Sequence, residues 1–239
     1  MNAVGIICEY NPFHLGHARM LKGLRRQYDA PLVCAMSGNF VQRGDAAVVR
    51  KHARGEMAVR CGADLVLELP TPWAMASAER FAAGGVALRR QKAPMEPLAV
   101  LRQGAGHDGA PSGDTASASY LRTLLRSGRT DEALSYLPAP AAQVLRRELA
   151  LGQAPADLSY CQRAILARLR QLREEDFLPY DGGKEGLYHR FYQAVRTSCS
   201  PEELLETAKT KRYPTSRLRR MLLSAWLDVT PPAGGIPYL

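Results

Sequence analysis

Two histidines three residues apart, His14 and His17, with Gly16 between them, are the residues of this chain best placed to do chemistry. A short apolar run, Ala3-Val4-Gly5-Ile6-Ile7-Cys8, leads to them through Glu9-Tyr10-Asn11-Pro12-Phe13, and a helical pattern follows. The run has the length of a buried strand, and the residues after it suit a tight turn. The histidines then stand where the turn becomes a helix. There, free backbone N–H groups and the positive end of the helix dipole favour a phosphate. Imidazoles would add donors around a phosphoryl group that gains charge in its transition state. This is the make-up expected of an adenylate-forming nucleotidyl site. The same residues also suit a plain helix-capping turn, because H-x-G-H is a short and loosely specified pattern.

The elements that must position these residues alternate through the first half. Ala3–Cys8 reads as a strand and His17–Gln27 as a helix with Met20, Leu21 and Leu24 on one face. Pro31–Met36 is a second strand, ending in Ser37-Gly38-Asn39. Arg50–Cys61 is helical with Met57, Ala58 and Cys61 facing in, and Asp64–Leu69 is a third strand closed by Pro70 and Pro72. Ser77–Arg90 reads as a helix carrying Phe81, Val86 and Leu88, weakened by Gly84-Gly85, and Pro97–Leu101 as a fourth strand. Such alternation implies a parallel sheet with helices on both faces, and ligands bind outside the carboxyl ends of its strands. The His14 turn, the Ser37-Gly38-Asn39 loop, the Leu69-Pro70 corner and the Arg102-Gln103-Gly104 loop should then open on one edge. From Ala116 onward the strand patterns stop. Apolar residues at three- and four-residue spacing predict helices over Ala118–Ser127, Ala141–Leu151, Tyr160–Glu174, Gly186–Thr197, Pro201–Thr210 and Ser216–Leu227. The expected division is therefore a sheet domain over 1–115 and a small helical domain over 116–239.

At 239 residues and 46% hydrophobic, the chain is long and apolar enough for one large or two small cores. No apolar stretch reaches membrane-spanning length, and no basic region followed by a long apolar segment opens the chain, so a cytoplasmic location is expected. The five cysteines, Cys8, Cys34, Cys61, Cys161 and Cys199, are scattered without C-x-x-C spacing and point to neither a zinc site nor a disulfide framework. Lysine and arginine number 32 against 23 acidic residues, a net charge of +9 that suits either a polyanion such as RNA or a solubilising surface. Lys209, Lys211, Arg212, Arg217, Arg219 and Arg220 interleave with Tyr213. Basic side chains for phosphates beside an aromatic for stacking make an RNA surface, although a terminal helix with a solvated face has the same composition.

Taken together these segments resemble the bacterial tRNA(Met) cytidine acetate ligases. The likeness runs through Val4-Gly5-Ile6-Ile7, Glu9 to His17, Met36 to Gly44, Gly62 to Pro70, Ser77 to Ala82, Arg102 to Asp108, Ala116 to Arg122 and Lys211 to Arg220, in one order over most of the chain. The resemblance implies a Rossmann-like nucleotidyltransferase α/β domain followed by a helical C-terminal domain. It also implies an ATP-dependent ligase that activates acetate as acetyl-adenylate and passes the acetyl group to the wobble cytidine of elongator tRNA(Met), without acetyl-CoA. ATP, with Mg2+ accompanying the nucleotide, is the expected cofactor, and tRNA(Met) and acetate are the expected partners.

By the same resemblance His14 and His17 are the catalytic pair. ATP is expected along Ile7, Cys8, Glu9, Tyr10, Asn11, Pro12, Phe13, His14, Leu15, Gly16, His17, Ala18, Arg19 and Met20, with Gly16 letting the backbone approach, and at Arg102 and Gln103. Ser117, Ser119 and Arg122 stand where related enzymes place a second phosphate-binding helix start, although serine there also suits ordinary capping. Asn39, Gln42 and Arg43 are expected at the acetate or cytidine pocket, or else as a loop that satisfies its own backbone. Glu9 is placed to orient a histidine, hold a metal-bound water or pair with Arg43. His107 and Asp108 are adjacent on one loop, where side chains usually point apart. The basic set from Lys209 to Arg220 is assigned to tRNA.

Two departures stand out. Family members carry a strand with a phosphate-proximal glycine and a later Ser-Pro-Asn-Asn segment between the regions matching Val86 and Pro97. This chain runs from Gly84-Gly85-Val86-Ala87-Leu88 straight into Arg89-Arg90-Gln91-Lys92-Ala93-Pro94. Family chains also continue past the region of Pro237-Tyr238-Leu239. The expectations that follow are a sheet with one strand fewer, a nucleotide pocket short of a glycine and an asparagine, a reduced tRNA surface and impaired turnover. A small-molecule adenylyltransferase, and a non-catalytic descendant that binds tRNA, are the alternatives.

Overall fold

The computed structural model describes residues 3–87, 115–181 and 186–232. The expected strand over Pro97–Leu101, the junction from Leu88 to Glu96, and Arg102, Gln103, His107 and Asp108 lie outside the described residues. In chain order the first part comprises β1 (Val4–Cys8), α1 (Leu15–Gln27), β2 (Leu32–Ser37), a two-stranded hairpin of β3 (Phe40–Val41) and β4 (Asp45–Ala46), and α2 (Lys51–Arg60). It continues through β5 (Leu65–Leu69), α3 (Thr71–Ala74) and α4 (Ala78–Ala87). The second part is helical: α5 (Ala118–Arg126), α6 (Thr130–Ser135), α7 (Ala139–Ala150), α8 (Gln162–Gln171), α9 (Leu178–Asp181), α10 (Leu187–Thr197), α11 (Pro201–Ala208) and α12 (Thr215–Leu227).

The sheet is parallel, in the order β1-β2-β5, with Ile6 opposite Cys34 and Cys34 opposite Val66. Its three carboxyl ends therefore lie along one edge, as the alternating pattern predicts. Both helical crossovers bury an apolar stripe. In α1 it is Leu21 and Leu24, and in α2 it is Ala53, Met57 and Ala58. Helices α5 to α7 add Leu121, Leu124 and Leu145 to this core, and a second core gathers Ile165, Phe177, Phe191, Leu204 and Met221 from the later helices.

Three details differ from the sequence reading. The stretch read as one helix from Tyr160 to Glu174 opens with the end of a 3-10 turn at Leu158–Cys161, continues as α8 and leaves the helix after Gln171, before a second 3-10 turn at Glu175–Phe177. The hairpin and α6 have no counterpart in the periodicity, being too short to show one. Gly84 and Gly85 do not weaken α4 but dock it. A Cβ on Gly85 would stand 2.6 Å from Ile7 Cγ1, and one on Gly84 would stand 2.7 Å from the Trp73 ring. The helix lies on β1 and α3 at a distance only glycine permits.

Helices α2 and α7 are clasped by charge. The Glu148 side chain is buried, with Arg50 Nε 2.5 Å from its Oε2 and Arg147 Nη2 3.0 Å from its Oε1. Arg147 also reaches Glu56 Oε2 at 2.6 Å. Burial pushes the Glu148 carboxyl up, but the hydrogen bonds and charges of Arg50 and Arg147 outweigh it and hold it below the ordinary glutamate value. The unfolded chain then binds this proton more readily than the folded one. The clasp stabilises fully above the unfolded glutamate pKa of about 4.3, and that stability is lost as pH falls through the lower folded value. Glu148→Gln is expected to lower the urea midpoint at neutral pH and to flatten the loss of stability on acidification. A mutant that keeps the parent's acid slope would remove Glu148 as its source.

Candidate functional site

The site begins where β1 ends. Tyr10 takes a left-handed backbone conformation (φ 47°), and the Asn11-Pro12 peptide bond is cis. Buried side chains hold this turn in place. The Tyr10 hydroxyl lies 3.4 Å from Cys34 Sγ, its ring meets Phe13 edge-on at 4.8 Å, and both rings lie against His17 at 4.9 and 5.5 Å. Asn11 Oδ1 accepts from the Val48 N–H at 2.7 Å, and its carbonyl accepts from Arg122 Nη1 at 2.9 Å. Burial pushes the Tyr10 hydroxyl well above its ordinary pKa, and it does the same to the Cys8 thiol, with Cys34 adding to it. Both groups stay neutral, so they act here by packing.

His14 caps α1, and the two histidines form a reciprocal box. The Gly16 N–H donates to His14 Nδ1 at 3.1 Å, and the His14 N–H donates to His17 Nδ1 at 3.2 Å. The rings stack with centroids 3.7 Å apart. An Nδ1 that accepts a backbone N–H carries no proton, so in the neutral imidazole the proton sits on Nε2. Gly16 serves this arrangement, because a Cβ there would stand 2.9 Å from His14 Cε1.

The free amides expected at this helix start are not free. Leu15 N–H donates to Tyr136 O (2.9 Å), Gly16 N–H to His14 Nδ1, and the His17 and Ala18 N–H groups both to His14 O (2.9 and 3.1 Å). The hydrogen bonds at this helix start thus take up its first four amides.

Arg54, which the sequence reading did not single out, ties the edge together. Its side chain is fully buried on α2. Nε donates to Val49 O at 2.9 Å, Nη1 to Glu9 O, and Nη2 to Ser37 O at 3.0 Å and to Gly38 O. Burial lowers its pKa to about 10 against the opposing pull of Cys8, Glu9 and Glu68, so it remains a cation at neutral pH. A signal was present: Arg54 precedes Met57, Ala58 and Cys61 by three, four and seven residues, on the apolar stripe of α2.

The other expected site residues fall into distinct places. Ile7 faces α4, and Arg19 is exposed on α1. Glu9 Oε1 accepts the Gln42 N–H at 2.8 Å. Gln42 Nε2 donates to Ala76 O at 3.3 Å, while Asn39 Oδ1 accepts the Lys51 N–H at 2.9 Å and so caps α2. Ser117 caps α5 by accepting the Tyr120 N–H at 3.2 Å, and Ser119 Oγ accepts from Arg122 Nη2 at 3.1 Å. Burial lowers the Arg122 pKa, with Arg126 and Arg43 adding to it and Asp45 and Glu9 opposing. Arg122 therefore lies against the histidine turn, with Arg43 nearby.

The basic set divides. Lys209, Lys211, Arg212 and Arg219 are exposed, and Lys209 lies 3.3 Å from Glu206. Tyr213 is buried beneath Arg217, which pairs with the buried Asp181 at 3.1 Å. Arg220 turns inward and donates to Gln42 O at 3.3 Å. Beside it the hairpin turn at Gly44 (φ 76°) touches the α12 backbone, where a Cβ would stand 2.5 Å from the Arg220 nitrogen.

Residues 1–91 and 86–233 match the model of the family described as HIGH Nucleotidyl Transferase. Fold and site together thus define a nucleotidyl transferase of that class. Two crystal structures of Thermotoga maritima TmcAL share the fold, one apo (TM-score 0.88) and one bound with alpha-thio ATP (0.86). Each is 26% identical and covers 96% of this chain and 76% of that one. The tRNA(Met) cytidine acetate ligase of Kosmotoga olearia is 27% identical over 97% of this chain and 76% of its own length. That of Syntrophotalea carbinolica is 30% identical over 96% and 75%. The chain belongs to the tRNA(Met) cytidine acetate ligase family. The Kosmotoga alignment runs over 323 positions, more than the 239 residues here, and the two stretches of the family match meet at 86–91, the junction noted in the sequence.

Replacing Arg54 leaves four carbonyls without their donor. Arg54→Met is expected to cost at least about 3 kcal/mol in urea unfolding, and Arg54→Lys, with three donors and no planar fork, should recover only part of it. A loss below about 1 kcal/mol for Arg54→Met would show that the guanidinium is not needed to hold this edge.

Proposed function

We propose that this chain acetylates the wobble cytidine of elongator tRNA(Met), using ATP and acetate by way of acetyl-adenylate. The observation that carries the reading is the stacked His14–His17 pair at the amino end of α1, whose Nδ1 atoms accept backbone N–H groups so that the neutral rings carry their protons on Nε2. In the first step an acetate oxygen attacks the α-phosphorus, the bond to the bridging oxygen breaks, and pyrophosphate leaves with the electron pair. Such an in-line displacement asks the protein chiefly for positioning and charge stabilisation. His14 and His17 supply donors to the phosphates, and Arg122 and Arg43 supply positive potential beside the turn. In the second step the exocyclic amine of cytidine attacks the acetyl carbonyl. AMP departs, and the amine gives up a proton.

ATP is assigned to the turn from Ile7 to Met20, and the substrate side to Gln42 and Arg43 with Asn39 shaping their loop. Among the described residues no group of three or more His, Cys, Asp or Glu could hold a metal. Mg2+ is proposed to travel with the nucleotide's own phosphates. Lys211, Arg212 and Arg219, exposed near or on α12, are assigned to the tRNA backbone. No described helix is long and apolar enough to cross a membrane, and work on tRNA would belong to the cytoplasm.

Transfer of labelled acetate to bulk bacterial tRNA, with and without ATP, tests the reading. ATP-dependent incorporation is expected, and its absence from a folded sample would overturn it. Pyrophosphate release that needs a phosphorylated metabolite in place of acetate would instead indicate a small-molecule adenylyltransferase. His17→Ala removes one donor and is expected to lower transfer by about a hundredfold or more, with tRNA affinity changed by no more than a few-fold. Full turnover in that variant would take the phosphates away from His17.

A further inference from the structure

A cleft of about 330 Å³ opens between the start of α4 and the later helices, with Ala76, Ser77 and Arg80 on one side and Tyr180, Arg217 and Arg220 on the other. That volume lies within the range of pockets that take small organic ligands, about 300–1,000 Å³. Two carboxylates also line it. Asp181 is committed to Arg217 at 3.1 Å, and Glu79 lies exposed on the rim. Arg220 is half-buried, and among the described residues no carboxylate pairs with it; its partner is the Gln42 carbonyl. Burial lowers its pKa, and the neighbouring Arg217 lowers it further. A half-buried guanidinium beside a second cation, compensated by one carbonyl, is an arrangement that an anion stabilises.

The position of the cleft narrows the choice of anion. Gln42 joins it to the histidine turn, since its N–H donates to Glu9, its amide to Ala76 O, and its carbonyl accepts from Arg220. On the outside, α12 carries the exposed Arg219, with Arg212 and Lys211 just before the helix. The cleft thus lies between a basic surface and the reaction edge. We propose that it receives one nucleotide of the RNA substrate, with a backbone phosphate held by Arg220 and Arg80 and the sugar and base in the space beside Tyr180. The Tyr180 hydroxyl donates to Asp228 Oδ1 at 2.5 Å, which fixes that wall.

This inference rests on the RNA-directed reading above, and two variants test it apart from that reading. Arg80→Glu reverses the rim charge, and Ser77→Trp fills the mouth from an exposed position without changing charge. Arg80→Glu should keep the parent's melting curve; Ser77→Trp gives up the Ser77 Oγ acceptor of the Arg80 N–H at the start of α4, so it is assayed well below its own melting temperature. In acetate incorporation both are expected to raise KM for bulk tRNA about tenfold while KM for ATP stays within about twofold, and Arg80→Glu should reduce the salt slope of tRNA binding by about one. An unchanged KM for tRNA in both variants overturns the proposal. If the wild-type chain incorporates no acetate, the ligase reading fails on its own, and filter binding of bulk tRNA decides the cleft. Weaker retention of tRNA by both variants sustains the proposal, and equal retention overturns it.

Discussion

One buried guanidinium holds the reaction edge of this molecule. Arg54 draws together carbonyls from just after β1, from the end of β2 and the residue beyond it, and from the segment before α2. A charge buried without an ion pair is costly unless its hydrogen bonds are complete. Here the planar fork of arginine matches acceptors arriving from several directions, which an ammonium could not do. The consequence reaches the site through Glu9. Its carbonyl is fixed by Arg54 and its carboxylate by the Gln42 N–H, so the turn leading to His14 and the loop after β2 are set by the same residue pair.

From that edge the order passes to the helical part through the hairpin. Gly44 lets the β3–β4 turn touch the backbone of α12, and Arg220 reaches back to Gln42. A side chain at position 44 would separate the two, since φ is positive there and the nearest atoms are main chain. A second tie runs through Tyr136 O, which takes the first amide of α1, and a third through Arg122 on Asn11 O. The helices after residue 115 therefore help to shape the histidine turn as well as carrying the exposed basic residues.

Most of this architecture was legible in the residues, for identifiable reasons. Val4–Cys8, Leu32–Ser37 and Leu65–Leu69 are apolar runs bounded by turn residues, and the long helices repeat every three or four residues. The hairpin and α6 fall below the length at which any period shows. The histidine turn was found as a motif, but its internal bonding was not. Sequence alone does not say that Nδ1 of both rings would be spent on backbone amides. Arg54 was missed because a charged residue on an apolar stripe reads as an interruption of the stripe rather than as its centre. Gly84 and Gly85 read as breakers because their use depends on Ile7 and Trp73, neighbours across the fold.

The internal shortening can be placed against this framework. The two stretches of the family match meet at 86–91, immediately after the contact of Gly85 with Ile7. Helix α4 is thus docked on β1 before the junction is reached, and the bonds that define the His14–His17 turn come from β1, β2, the hairpin loop, α2, α5 and Tyr136. All of these lie within the described residues, on either side of the shortened stretch. If the missing segment contributes to the nucleotide pocket, as the family resemblance implies, its loss leaves these bonds of the turn in place. Its effect should then fall on how tightly ATP is held more than on the geometry of the imidazole donors, since interactions made equally in the ground and transition states govern affinity rather than turnover.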